Sequence, residues 1–152
     1  FIERNAMFVR HMCLIYSAYI RLDCFSCETE LKEYTPAAIV NDKVSTTIAN
    51  MLKPYSFSYY DILICQRMWS DFLQVTDKNV RMPEIWAAGI IRNFIELNGV
   101  YNYDLPKISE MCRNVPTSAI SRTSNEVLST LGLEPGDPRY INEEGLLLLL
   151  LS

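Results

Sequence analysis

Between Asp42 and Gly132 the sequence is divided into five apolar segments of helical period, each bounded by a capping residue, a proline or a glycine. Apolar residues at three- and four-residue steps fit an amphipathic helix, and the flanking residues mark its ends. Asp42 is the expected N-cap of the first segment, which places Val44, Ile48 and Met51/Leu52 on one face. It stops at Lys53-Pro54, because the residue before a proline avoids helical angles. The second, over about residues 58–75, turns Ile62, Cys65, Met68/Trp69, Phe72 and Val75 inward, and Asp77-Lys78-Asn79 forms a turn after it.

The third segment, 83–98, is the most hydrophobic of the five. Pro83 is tolerated in its first turn, where the missing amide has no intrahelical partner to lose. Ile85/Trp86, Gly89/Ile90, Phe94 and Leu97 repeat along it, and Ala87, Ala88 and Gly89 stand together at its middle. A glycine there costs about 1 kcal/mol relative to alanine, so its use is expected to be the close approach of another helix. This segment is expected to be the central helix of the domain.

Gly99 ends that helix, Asp104 caps a short one through Cys112 with Ile108 and Met111 inward, and Arg113-Asn114-Val115-Pro116 forms a tight turn. Thr117 is the expected cap of the last helix, which runs through Leu131 and ends at Gly132. Upstream, residues 3–22 read as a well-buried helix and 23–41 as a connector. Downstream, residues 133–152 read as a tail with a turn at Pro135-Gly136-Asp137-Pro138 and a leucine-rich end without an interpretable period. The expected fold class is therefore all-α.

With 152 residues, 49% of them hydrophobic and 21% charged, the chain can bury one ordinary core. The net charge of −4 gives the domain as a whole no attraction for nucleic acid, so any DNA contact has to be local. Residues 132–152 hold one basic and four acidic side chains, which concentrates the acidic excess in the tail. Five cysteines, an odd number, fit reduced thiols better than a disulfide framework. The longest apolar run, Leu146–Leu151, is far shorter than the roughly 20 residues of a membrane-spanning helix, and no membrane anchor is expected. Because the sequence opens at Phe1 directly in a helical pattern, it reads as a piece of a longer protein.

Little in the sequence suggests covalent chemistry. Cys24-Phe25-Ser26-Cys27 has the spacing of half a zinc site without a second pair, and His11 is the lone histidine. There is no nucleophile elbow and no phosphate-binding glycine loop. The expectation is no enzyme, no cofactor and no metal. Tyr55, Phe57, Tyr59 and Tyr60 are expected to pack between helices, and Arg67, Lys78 and Arg81 to be solvated.

The most informative constellation is Asp104–Leu131, which has the layout of a helix-turn-helix. Its second helix opens Thr-Ser-Ala-Ile-Ser-Arg-Thr-Ser-Asn, and the N-terminal end of such a helix enters the major groove in DNA readers. Lys107, Arg113, Ser118, Ser121, Arg122 and Thr123 are the candidate DNA-facing residues, with Arg92 behind them.

The run Trp86-Ala-Ala-Gly-Ile-Ile, then Asn98-Gly99, then Ile108-Ser-Glu-Met-Cys-Arg-Asn-Val-Pro-Thr-Ser-Ala-Ile-Ser-Arg122 resembles the second cyclin-like repeat of the transcription factor IIB family. The resemblance covers about residues 1–132 and is most specific over roughly 82–131. It implies a five-helix cyclin-like repeat over 42–132 that ends in the helix-turn-helix. Residues 1–22 would be the closing helix of a preceding repeat, and Tyr34-Thr35-Pro36 part of the linker between repeats. It further implies a nuclear initiation factor, monomeric within a larger complex, that bridges TATA-binding protein, promoter DNA and RNA polymerase. Where the family's groove-reading helix carries a Val-Thr pair and an Arg, this chain has Ser118, Ala119 and Ser121. The rival reading is a cyclin-box adaptor that binds a kinase or another protein without touching DNA, and the acidic balance favours it.

Overall fold

The computed structural model describes residues 38–100 and 102–151. The helix expected over 3–22, with His11, and the connector residues Cys24, Cys27 and Tyr34–Pro36 lie outside the described residues. Within the described residues the chain is all-helical: α1 (Lys43–Leu52), α2 (Tyr59–Val75), α3 (Pro83–Leu97), α4 (Leu105–Met111), α5 (Thr117–Leu131) and α6 (Glu143–Leu151).

The helix starts follow from side-chain capping of orphan amides. Asp42 accepts from the Ser45 amide at 2.8 Å, and its other oxygen accepts from Trp69 Nε1 at 2.8 Å, so one carboxylate both caps α1 and ties it to α2. Ser58 and Asp61 form a reciprocal capping box on α2. Asp104 caps α4 by accepting from the Lys107 amide at 3.0 Å. The start of α5 differs from the sequence expectation. Pro116 is its N-cap, Thr117 is already the first helical residue, and no side chain caps it.

Helix α3 touches α1, α2, α4 and α5, with its most extensive contact along α5, and is the central helix. Val44, Ile48, Leu52, Met68, Trp69, Phe72, Ile90, Ile91, Phe94, Ile120 and Val127 form the core around it. Trp86 brings α3 against α2, its ring 5.8 Å from Trp69 and 5.4 Å from Phe72 in tilted contacts. The small-residue triple does what its composition predicts. Ala87 and Ala88 are fully buried, and a Cβ added at Gly89 would lie 2.3 Å from Thr123 Oγ1 and 2.9 Å from the Ser124 amide nitrogen. Only a glycine lets α5 approach this closely.

Three expectations for side chains change. Val75 is 63% exposed at the end of α2 and not inward. Arg67 is buried and not solvated, and its Nε has no hydrogen-bond partner among the described residues. Tyr55, Phe57 and Tyr60 pack against the core, but Tyr59 projects into solvent.

The largest departure is at the tail. The turn at 135–138 is present, but the chain then returns to the core. Tyr140 is fully buried, and its hydroxyl donates to Asp71 Oδ2 at 2.6 Å. Asn98 at the end of α3 donates to the Tyr140 carbonyl and accepts from the Asn142 amide at 2.7 Å. Asn142 in turn donates to Asp61 on α2 and accepts from the Gly145 amide, which caps α6. Gly145 sits so close to Asn98 that a Cβ there would lie 2.4 Å from its Oδ1. Polar residues, invisible to an apolar period, thus fasten this segment to the ends of α2 and α3. Among the described residues no helix is long and apolar enough to cross a membrane.

Candidate nucleic-acid interface

Helices α4 and α5, the pair that the sequence suggested as a helix-turn-helix, are joined by the turn between Met111 and Thr117. The turn is held from within: the Asn114 amide donates to the Ser109 carbonyl at 2.8 Å, and the Ser109 hydroxyl donates to the Val115 carbonyl at 2.7 Å. Val115 and Cys112 are buried beneath it. Arg113 and Asn114 both take left-handed angles, with φ of 57° and 58°, the sole positive values on non-glycine residues among those described. Asn tolerates this region, whereas an Arg there carries a Cβ clash of about 1–2 kcal/mol. Backbone strain is thus concentrated at a basic residue of the proposed contact surface.

The six candidate residues have different surroundings. Ser118 and Arg122 are exposed on the outer side of the first turns of α5, and Arg122 has no hydrogen-bond or ion-pair partner among the described residues. Arg113 is 60% exposed, with Nη1 at 3.5 Å from Glu84 Oε1 at the start of α3. Lys107 is tied to Glu110 on its own helix at 3.0 Å, which raises its pKa, and its ammonium also lies over the Tyr55 ring. Ser121 is half-buried and accepts from Arg92 Nη1 at 2.8 Å, while Arg92 Nε donates to Glu96.

Thr123 is a correction. Its side chain is 3% exposed and its hydroxyl lies 3.1 Å from the Ile85 carbonyl of α3 and 3.0 Å from the Ala119 carbonyl. A hydroxyl buried between helices and bonded there cannot meet a base edge. Its neighbour Ser124 is equally internal, donating to Asn93 Oδ1 at 2.7 Å while Asn93 Nδ2 donates back to the Ser124 carbonyl at 3.0 Å. The outward set therefore reduces to Lys107, Arg113, Ser118 and Arg122, with Ser121 beside them.

Sequence reasoning missed Glu84. The signal available was its place in the first turn of α3, where the helix dipole favours an acidic side chain. Lys78, whose ammonium pairs with Glu126 of α5 and lies over the Trp86 ring, is another cation held by a carboxylate near this surface.

An open cleft of about 610 Å³ lies between the starts of α1 and α3, lined among others by Asp42, Lys43, Thr46 and Glu84. The Asp42 carboxylate in it is already engaged by Ser45 and Trp69. Burial pushes the Cys112 thiol up to about 12 and, together with the Asp61 charge, holds the Cys65 thiol well above its ordinary value. Both cysteine side chains are fully buried. Among the described residues no group of three or more His, Cys, Asp or Glu side chains is placed to hold a metal ion. Against known proteins, no family model, no curated protein and no solved structure matches the chain.

Proposed function

We propose that this chain is a macromolecule-binding helical module of the transcription factor IIB kind, in which α1–α5 form a cyclin-like repeat and the α4–α5 pair contacts promoter DNA inside a larger complex. The observation that carries the reading is the outward side of the start of α5, where exposed Ser118 and Arg122, which has no partner among the described residues, stand next to a hydrogen-bonded turn of positive φ that presents Arg113. Such a surface offers a few phosphate and base-edge contacts without the overall positive charge of an independent DNA binder. The net charge of −4 fits a module that reaches DNA only beside a partner, here TATA-binding protein, with RNA polymerase and a nuclear location following from the same reading.

A gel-shift titration of the chain against TATA-containing duplex, with and without TATA-binding protein, tests the proposal. A supershift that needs both proteins and is lost on joint reversal of Arg113 and Arg122 to Glu is the expected result. A complex unchanged by that reversal at low salt would remove the DNA-facing assignment.

One observation favours the cyclin-box adaptor as a second reading. Lys107, Arg113 and Lys78 each face a carboxylate, and Arg92 is bound to Glu96, so among the described residues little free positive charge remains on this side. Capture of a protein partner together with no shift of any duplex is the expected outcome for that reading.

A further inference from the structure

Of the pairs that hold candidate cations, Lys107–Glu110 and Arg92–Glu96 run along a single helix, whereas Glu84–Arg113 joins the central helix to the turn of the helix-turn-helix. Arg113 is not free to choose its position. Its backbone is fixed in the left-handed region, and the turn is closed by the Asn114 amide and the Ser109 hydroxyl on either side of it. Glu84 is equally fixed, in the first turn of α3 immediately after Pro83, where a negative charge is favoured by the helix dipole. The carboxylate and the guanidinium meet at 3.5 Å, both partly open to solvent, with side-chain exposures of 35% and 60%. A carboxylate in that position offers the same anionic oxygens to an arginine as a phosphate does.

We infer that Glu84 is an internal occupant of the phosphate-binding position at Arg113, which the DNA backbone has to displace, so that Glu84 sets the affinity and salt dependence of the interface. The inference rests on the DNA-facing reading of α4 and α5. It follows that the free protein is held in a weakly binding state by its own central helix. An open, screened ion pair is easily exchanged, so this restraint is modest and graded and does not act as an all-or-none lock. A partner that engages Glu84 would release Arg113 and raise DNA affinity without touching DNA itself.

The test is a double-mutant cycle read by fluorescence anisotropy on a labelled TATA-containing duplex at several salt concentrations, with TATA-binding protein present. The four proteins are the unaltered chain, Glu84→Gln, Arg113→Gln and the double variant. Glu84→Gln is expected to bind roughly two- to fivefold more tightly, the range an exposed ion pair supplies. Its plot of log affinity against log salt is expected to steepen by up to about one, as for one added phosphate contact. In the Arg113→Gln background the same change is expected to add nothing. An equal gain in both backgrounds would mean that Glu84 acts only through net charge and would overturn the inference. So would an unaltered Glu84→Gln affinity when the parent chain binds. If no variant binds the duplex, the DNA-facing reading falls first and the inference with it.

Discussion

The two faces of α5 carry the same residue types and use them in opposite ways. On the outer face Ser118 and Arg122 meet solvent, and Ser121 at the margin is half-buried and bonded to Arg92. On the inner face Thr123 and Ser124 are buried against α3, where each hydroxyl finds a specific acceptor. Hydroxyl content at the start of a helix therefore does not mark a recognition surface by itself. What separates the faces is the partner helix: Gly89 leaves the space that Thr123 fills, and Asn93 presents the carbonyl that Ser124 needs. Small polar side chains act here as packing elements, because a satisfied hydroxyl costs little to bury and takes little room.

Breaking the inner face is expected to have the largest effect. Gly89→Val places branched carbons where even a Cβ would meet Thr123 at 2.3 Å and the Ser124 backbone at 2.9 Å. Because the obstruction includes backbone, α5 has to move, and a loss at the upper end of the roughly 1–3 kcal/mol typical of overpacking is expected in urea unfolding. Glycine at 89 replaced with no change in the denaturation midpoint would show that α3 and α5 are not packed this closely. Ser124→Ala comes next. It leaves Asn93 Oδ1 buried without its donor, at a cost of about 1–3 kcal/mol.

High pH adds a third way to separate inside from outside. Burial raises the Cys112 thiol from 9.0 to about 12 and, as the largest cause, the Tyr60 phenol from 10.0 to about 12. A group whose folded pKa lies above its unfolded value contributes stability that is fully present below the unfolded pKa and is lost as pH rises through the folded one. Stability is thus expected to hold up to about pH 9 and to fall progressively toward pH 12. In Cys112→Ala the fall is expected to be shallower but to begin at the same pH, because the Cys65 thiol is also held well above 9.0.

The helices were legible in the sequence wherever a cap or breaker coincided with an apolar period. Asp42, Ser58, Asp104, Gly99 and Gly132 all sit at the boundaries their chemistry predicts. The central role of α3 was readable from three small residues in its most apolar stretch. Two kinds of information were not readable. The first is rotation: Thr123, one position beyond Arg122, points to the opposite side, because adjacent helical residues differ by about 100°, and Val75 turns out where the period runs off the end of α2. The second is anchoring by polar residues at long sequence separation. Asn98 holding Asn142, and Asp71 holding Tyr140, join positions dozens of residues apart, so nothing in the local pattern of residues 133–152 announced that they return to the core. Arg67 and Glu84 belong to the same category, since a charge reads as solvated until the neighbouring element is known.

The smallest effect on stability is expected on the outer face, where it sharpens the contrast most. Arg122→Glu reverses an exposed charge that has no partner among the described residues, so unfolding free energy should change by no more than about 0.5 kcal/mol. The new carboxylate would stand four residues before Glu126, an i,i+4 like-charge arrangement with a penalty of a few tenths of a kcal/mol, partly offset by Lys78, which already neutralises Glu126. Circular dichroism melts of Arg122→Glu and of the parent should therefore nearly superimpose, while any DNA complex weakens and its salt dependence becomes shallower by about one. A substantial drop in melting temperature would instead mean that Arg122 is bound within the fold, and α5 would then have two inner faces and no free surface for a partner.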